Sequence, residues 1–226
     1  MPKTPVYFVP GLAAGKEIFR NIRLPADQYE IHILEWLIPQ KGESLLAYAK
    51  RMADRVSLPN AVLVGVSFGG VMAQEMSQYL ELRELIIVSS VKTRRELPRR
   101  LQFARRTRAY KLIPTRLVLS ATDLRKFSVG PRSRKRLTLY QEYLSVRNKA
   151  YLDWAIRNMV CWQRVEPVEK VIHIHGDADI VFPIQYIKEC EIIEGGTHVM
   201  ILNKASIISE RLQKIIENSE AVVSLD

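Results

Sequence analysis

The chain has 226 residues and a net charge of +10, with 47% hydrophobic and 26% charged residues. These values are those of an ordinary soluble protein and fit one α/β domain with an insertion. Cys161 and Cys190 are too few for a disulfide framework or a multi-cysteine metal site, and no apolar stretch is long enough to span a membrane.

Short apolar runs alternate with amphipathic segments along most of the chain. The apolar runs predict strands at 6–9, 29–35, 61–66, 85–88, 171–175 and 191–193. Apolar residues at helical spacing predict helices at about 17–22, 45–56, 71–80 and 205–216. The alternation predicts an α/β fold with a doubly wound, mostly parallel six-stranded sheet flanked by helices. Because the start of the chain has no signal-peptide pattern, we predict a cytoplasmic location.

The alternation stops after the fourth predicted strand. Three prolines interrupt the next segment and indicate several short helices. The segment leaves the carboxyl end of that strand at Ser89 and Ser90, and this is the edge at which open α/β sheets bind ligands. We therefore predict a helical lid, residues 92–166, inserted into a core formed by residues 1–91 and 167–226.

All of the excess positive charge lies in the predicted lid. Between Lys92 and Arg136 there are 16 Lys or Arg residues against Glu96 and Asp123, a net of +14, whereas the rest of the chain carries −4. Such a segment could contact phosphate, carboxylate or an anionic membrane surface, and the alternative is a solvated helix face. No recognised nucleic-acid motif accompanies it, so we expect no nucleic-acid partner.

A Gly-x-Ser-x-Gly pattern ends the third predicted strand, with Ser67 between Gly65 and Gly69. A serine at a sharp strand-to-helix turn exposes its Oγ above the sheet, and the crowded turn admits only small residues two positions before and after it. The pattern therefore indicates a nucleophile elbow. A glycine-rich turn without a catalytic role is the alternative for these five residues alone.

A nucleophilic serine needs a base to take its proton and a carboxylate to orient that base. Asp177 and Asp179 follow the fifth predicted strand, and His198 follows the sixth behind two glycines. With Ser67, these residues have the chain order of an α/β-hydrolase. On these motifs the chain resembles a compact α/β-hydrolase over about residues 5–91 and 167–218. The resemblance implies His198 as the base and Asp179 as the acid, with Asp177 as the competitor.

The resemblance also implies two backbone N–H groups that stabilise the reaction's oxyanion, those of Phe68 and Leu12. Phe68 follows the predicted nucleophile, and Leu12 lies in the loop after the first strand. Most members of the family carry His-Gly in that loop, where this chain has Pro10 and Gly11. An ordinary strand-to-helix turn is the alternative interpretation of the loop.

Other histidines and the lid aromatics receive no catalytic role. His173 and His175 share one face of their strand and are interpreted as packing and turn residues, as is His32. The lid aromatics either line an acyl pocket or pack in the core, and they include Tyr140, Tyr143, Tyr151, Trp154 and Trp162.

The expected function is a serine hydrolase that cleaves a carboxylic ester or thioester through an acyl-enzyme, without a metal or organic cofactor. Its partner is a small-molecule acyl substrate, and an anionic acyl donor is one option if the basic lid contacts it. The same fold also supports C–C hydrolases, lyases and non-catalytic ligand-binding homologues. The sequence identifies no substrate-binding residue.

Overall fold

Six parallel strands form one open sheet in the computed structural model, which describes residues 2–112 and 145–223. The strands are β1 Thr4–Val9, β2 Tyr29–Ile33, β3 Ala61–Val66, β4 Leu82–Val88, β5 Ile172–Gly176 and β6 Glu191–Ile193. They lie in the order β2-β1-β3-β4-β5-β6. The predicted doubly wound, mostly parallel six-stranded sheet is therefore confirmed, and all of its strand pairs are parallel.

The strand order reverses between β1 and β3. β1 pairs with β2 on one side and with β3 on the other, so the chain leaves β1 in one direction and β3 in the opposite direction. Val9 lies opposite Gly65, and the two strands therefore end at the same level. Open parallel sheets bind ligands in the crevice at such a reversal, on the side of the carboxyl ends.

Helices cover both faces of the sheet. They are α1 Leu45–Ala53, α2 Phe68–Met76, α3 Arg99–Thr107, α4 Lys149–Val160, α5 Met200–Asn203 and α6 Ala205–Val223. Side chains of α1, α2 and α4 share one core cluster, and those of α6 share the other with Ile18 and Phe19. Every residue of β1 and β3 is buried, as expected for central strands of a parallel sheet that is covered on both faces.

Some helix bounds differ from the sequence predictions. The helix predicted at 17–22 is a single 3-10 turn, Lys16–Phe19, and no side chain caps its start. Such a short segment forms too few backbone hydrogen bonds to offset the cost of starting an α-helix. The helix predicted at 71–80 begins at Phe68, directly after Ser67, and α6 continues to Val223.

Two parts of the predicted lid, on either side of residues 113–144, are described. α4 buries Tyr151, Leu152 and Ala155 in the same cluster as α1 and α2, so this helix is packed into the core. The indole of Trp154 donates to the carbonyl of Glu43 at 2.8 Å. The lid boundaries stay a prediction, and Tyr140 and Tyr143 lie outside the described residues.

The end of β3 packs directly on the start of α2, and this contact generates a stability prediction. A Cβ on Gly65 would overlap the Gly69 carbonyl and lie 2.6 Å from Gly70 Cα. We therefore expect Gly65→Ala to lower the free energy of unfolding in urea by about 2–3 kcal/mol.

Gly11→Ala is the matched control for Gly65→Ala. A Cβ on Gly11 would lie 3.6 Å from its nearest neighbours, Ser67 Cβ and the Val66 carbonyl, which is ordinary contact. We expect this variant to stay within about 0.5 kcal/mol of the parent. Equal losses for the two variants would contradict the proposed backbone contact.

Candidate active site

Ser67 occupies a strained turn between β3 and α2. Its φ of 55° and ψ of −120° lie in a region that residues with a side chain rarely adopt. Two hydrogen bonds fix the turn: Ser67 N–H donates to the Val88 carbonyl at 2.9 Å, and the Ser90 hydroxyl donates to the Ser67 carbonyl at 2.7 Å. The half-buried Ser67 side chain is thereby presented at the carboxyl edge of the sheet.

The loop after β6 brings His198 to this serine. His198 Nε2 lies 2.9 Å from Ser67 Oγ, although the two residues are 131 positions apart in the chain. His198 Nδ1 lies 2.9 Å from Asp179 Oδ2. The imidazole therefore bridges the hydroxyl and the carboxylate, and its side chain remains 17% exposed.

Asp179 lies in the turn after β5, and its side chain is fully buried. Its Oδ1 accepts hydrogen bonds from the N–H groups of Val181 and Phe182, at 2.7 and 2.9 Å. Burial would raise the pKa of this carboxyl, but the hydrogen bond and electrostatic attraction of His198, with the hydrogen bond from Phe182 and the attraction of His175, outweigh burial and lower the pKa below its ordinary value. The carboxylate is therefore ionised at neutral pH. Asp177 is exposed and makes no hydrogen bond to His198.

Two buried histidines of β5 lie beneath the turn that carries Asp179, which we call the acid turn. The sequence did not indicate this supporting role. His175 Nε2 lies 2.8 Å from the Phe182 carbonyl and 3.6 Å from Asp179 Oδ2, and its Nδ1 lies 3.1 Å from His173 Nε2. Burial lowers the pKa of both imidazoles, that of His173 strongly, so both are neutral at pH 7. Their spacing of two along β5 was the available signal, because it places both on one face of the sheet.

The two predicted oxyanion donors lie at the loops after β1 and β3. Phe68 is the first residue of α2, and Leu12 lies in a turn closed by a 3.1 Å hydrogen bond from Ala14 N–H to the Gly11 carbonyl. A Cβ built on Gly11 would be 3.6 Å from Ser67 Cβ, which shows how closely this turn approaches the serine. Within the described residues, neither predicted N–H has a hydrogen-bond partner.

Aromatic side chains pack around Phe68 beside the serine. The rings of Trp36 and Trp154 lie 5.4 and 6.3 Å from the Phe68 ring, and Tyr151 lies 5.3 Å from Trp36. For Tyr151 and Trp154, two aromatic residues of the predicted lid, the sequence left open whether they line an acyl pocket or pack in the core. Trp162 is a core residue that donates its indole N–H to a Glu75 carboxylate oxygen at 2.9 Å.

Neither a metal cluster nor a membrane helix is found in residues 2–112 and 145–223. No three His, Cys, Asp or Glu side chains in these ranges are grouped as a metal ion would require. None of the helices there combines the length and the apolar character needed to cross a membrane.

Several solved structures share this architecture at low sequence identity. An esterase from Thermogutta terrifontis has a TM-score of 0.68 and 14% identity, covering 96% of this chain and 90% of that chain. A bromoperoxidase from Bacillus anthracis has a TM-score of 0.70 and 18% identity, covering 96% of this chain and 92% of that chain. An esterase from Exiguobacterium antarcticum has a TM-score of 0.62 and 17% identity, covering 95% of this chain and 92% of that chain. No family model and no curated protein matches the chain. The structural likeness shows that the chain has the α/β-hydrolase fold.

The buried histidine pair generates a prediction on pH and stability. Because the folded-state pKa values of His173 and His175 lie below those of the unfolded chain, unfolding takes up protons below about pH 6.5. The free energy of unfolding therefore falls as the pH falls. The charged or titratable groups around the pair are Lys92, Asp179 and His198.

His173→Gln removes one titrating group, while the amide can still donate to His175 Nδ1. Between pH 7 and pH 5, we expect the variant to lose less unfolding free energy than the parent, by up to about 1.4 kcal/mol per pH unit. Urea denaturation at each pH measures this difference. Identical pH dependence in the two proteins would contradict a neutral, buried His173.

Proposed function

We propose that the protein is a serine hydrolase that cleaves carboxylic esters or thioesters, with Ser67 as nucleophile, His198 as base and Asp179 as the orienting acid. One observation carries the proposal: hydrogen bonds run without a break from the hydroxyl through the imidazole to the buried carboxylate, at 2.9 Å for each step. The solved esterases that share the fold support it.

In the acylation step, His198 Nε2 accepts the hydroxyl proton as Ser67 Oγ bonds to the carbonyl carbon of the substrate. The π electrons of the carbonyl move to its oxygen, which gives a tetrahedral oxyanion. As the carbonyl re-forms, the C–O or C–S bond breaks, and the leaving alcohol or thiol takes the proton from His198. The acyl group stays on Ser67 as an ester.

Water completes the cycle by the same proton path. His198 removes a proton from the water that attacks the acyl carbon, and it returns the proton to Ser67 Oγ as the carboxylic acid leaves. Asp179 stays ionised throughout, keeps the imidazole in one tautomer and stabilises its charged form. The low pKa of this carboxyl fits that role.

The N–H groups of Phe68 and Leu12 are our proposed donors to the oxyanion. As the first residue of α2, Phe68 lies where the helix dipole stabilises negative charge. Donors that are fixed before the reaction stabilise the developing charge without having to reorganise. The position of Gly11 against Ser67 brings the loop of Leu12 to the same place.

We also propose an apolar acyl group for the substrate. The half-buried rings of Trp36 and Trp154 pack against Phe68, the residue that follows the reacting serine. Because the predicted lid is positively charged, anionic acyl donors are also candidate substrates. A panel of p-nitrophenyl esters and acyl thioesters of different chain length and charge would rank these substrates.

A fluorophosphonate probe tests the nucleophile. We expect the probe to label the protein covalently, because an activated serine oxygen attacks phosphorus and displaces fluoride. Ser67→Ala should abolish labelling, and Ser77→Ala, which changes a serine after the end of α2, should leave it unchanged. Mass spectrometry of the labelled peptide measures both outcomes. Full labelling of the Ser67→Ala variant would rule out Ser67 as the reactive serine.

Two neighbouring aspartates provide a matched test of the acid. Asp179→Asn should lower kcat for a p-nitrophenyl ester by about 10⁴-fold with little change in KM, because the imidazole loses the carboxylate that sets its tautomer. Asp177→Asn removes an exposed carboxylate and should change kcat by less than about twofold. Steady-state kinetics distinguish the two variants. A larger loss in Asp177→Asn would transfer the role to that residue.

A further inference from the structure

A groove lined by arginines follows β4 on the part of the chain that leads into the predicted lid. It is formed by the 3-10 turn Arg94–Glu96 and by α3, and its volume is about 560 Å³. Of the described residues, five arginines line it: Arg94, Arg95, Arg99, Arg105 and Arg106. Like charges that line one groove repel each other unless a counter-charge lies between them.

No carboxylate of residues 2–112 or 145–223 lines this groove. Glu96 belongs to the same 3-10 turn but is only 4% exposed, and its carboxylate accepts from the N–H groups of Lys92 and Lys188 at 2.5 and 3.2 Å. The buried Glu96 carboxylate therefore binds backbone N–H groups and does not line the groove. Between Glu96 and Arg136 the sequence contains one further acidic residue, Asp123, which lies outside the described residues.

A neutral group positions two of the arginines. Gln163 Oε1 accepts hydrogen bonds from Arg94 Nη1 at 3.3 Å and from Arg105 Nη2 at 2.8 Å. An amide oxygen fixes the direction of a guanidinium group but carries no charge to neutralise it. Within residues 2–112 and 145–223, these two cations are thus held in place without a carboxylate partner.

The other three arginines have free guanidinium groups in the part of the chain that the structure describes. Arg95, Arg99 and Arg106 are exposed, and none makes a side-chain hydrogen bond or ion pair within the described residues. Phe103 lines the same groove and is 65% exposed, so apolar surface lies beside the cations. A ligand that fits this groove combines concentrated negative charge with a carbon part.

We propose that the groove binds a phosphate-bearing group, carried by a soluble organic phosphate or by a lipid headgroup, with Phe103 against its carbon part. A guanidinium group donates two parallel hydrogen bonds to phosphate, and several terminal oxygens let one phosphate group accept from several arginines. A carboxylate has only two oxygens and one charge, so it satisfies fewer of the five. The proposal does not depend on the chemistry at Ser67.

Inorganic pyrophosphate and lipid vesicles are the two probes that distinguish the sources. Calorimetric titration with pyrophosphate at constant ionic strength tests the soluble source. Co-sedimentation with phosphatidylcholine vesicles, with and without phosphatidic acid, tests the lipid source. We expect saturable binding in at least one arm. Pyrophosphate binding alone indicates a soluble ligand, and binding only to vesicles that contain phosphatidic acid indicates a lipid headgroup.

The deciding variant is Arg95→Gln, Arg99→Gln and Arg106→Gln combined. Because these side chains have no partner in the described fold, we expect the variant to keep the parent's unfolding transition and to bind at least about tenfold more weakly. The control combines Lys50→Gln, Arg211→Gln and Lys214→Gln, three exposed positions outside the groove, and should bind within about twofold of the parent.

Two results would overturn the proposal. The first is the absence of saturable binding of the parent protein in both arms. The second is an equal loss of binding in the two triple variants, because that would make the attraction a property of net charge rather than of the groove. Ser67→Ala should bind like the parent, which separates this site from the proposed hydrolase activity.

Discussion

Close backbone contacts between glycines set the geometry of the site. Gly65 touches the backbone of Gly69 where β3 turns into α2, and Gly176 touches the backbone of Gly196 where the acid turn meets the histidine loop. A side chain at any of these positions would overlap neighbouring atoms. The first contact permits the strained turn at Ser67, and the second brings together the loops that carry Asp179 and His198.

Of the three buried titratable side chains at this site, Asp179, His173 and His175, only Asp179 is charged at neutral pH. Asp179 is ionised because hydrogen bonds and electrostatic attraction outweigh the effect of burial on its pKa, whereas His173 and His175 are neutral because burial dominates there. Neutral imidazoles below the acid turn support it without competing as cations for the carboxylate. His198 is the histidine that contacts both the Asp179 carboxylate and the Ser67 hydroxyl.

The sheet and the three central side chains could be predicted because each signal is local. Apolar runs marked the six strands, and short motifs at strand ends marked Ser67, Asp179 and His198, which the structure brings within hydrogen-bond distance of each other. Their catalytic roles stay predictions. The helical spacing in the sequence begins at Val71, three residues after the start of α2 at Phe68, because Gly69 and Gly70 are poor helix formers. They are required there, since a Cβ on Gly69 would overlap the β1 loop and one on Gly70 would overlap Ser90.

Contacts between distant segments that no motif marks could not be predicted from one sequence. No local pattern shows that Glu75 accepts hydrogen bonds from Trp162 and Arg164, or that Gln163 holds two arginines of the groove. These contacts depend on how the segments beside residues 113–144 pack against α2 and α3, which is decided by tertiary structure.

The most direct test of Ser67 as the nucleophile is pre-steady-state turnover of p-nitrophenyl acetate, with mass analysis of the quenched protein. A covalent mechanism at this serine predicts a burst of about one p-nitrophenolate per active site and an acetyl group on the peptide that contains Ser67. Steady turnover with no burst and with acetylation at another residue, or at none, would contradict a covalent mechanism at this serine.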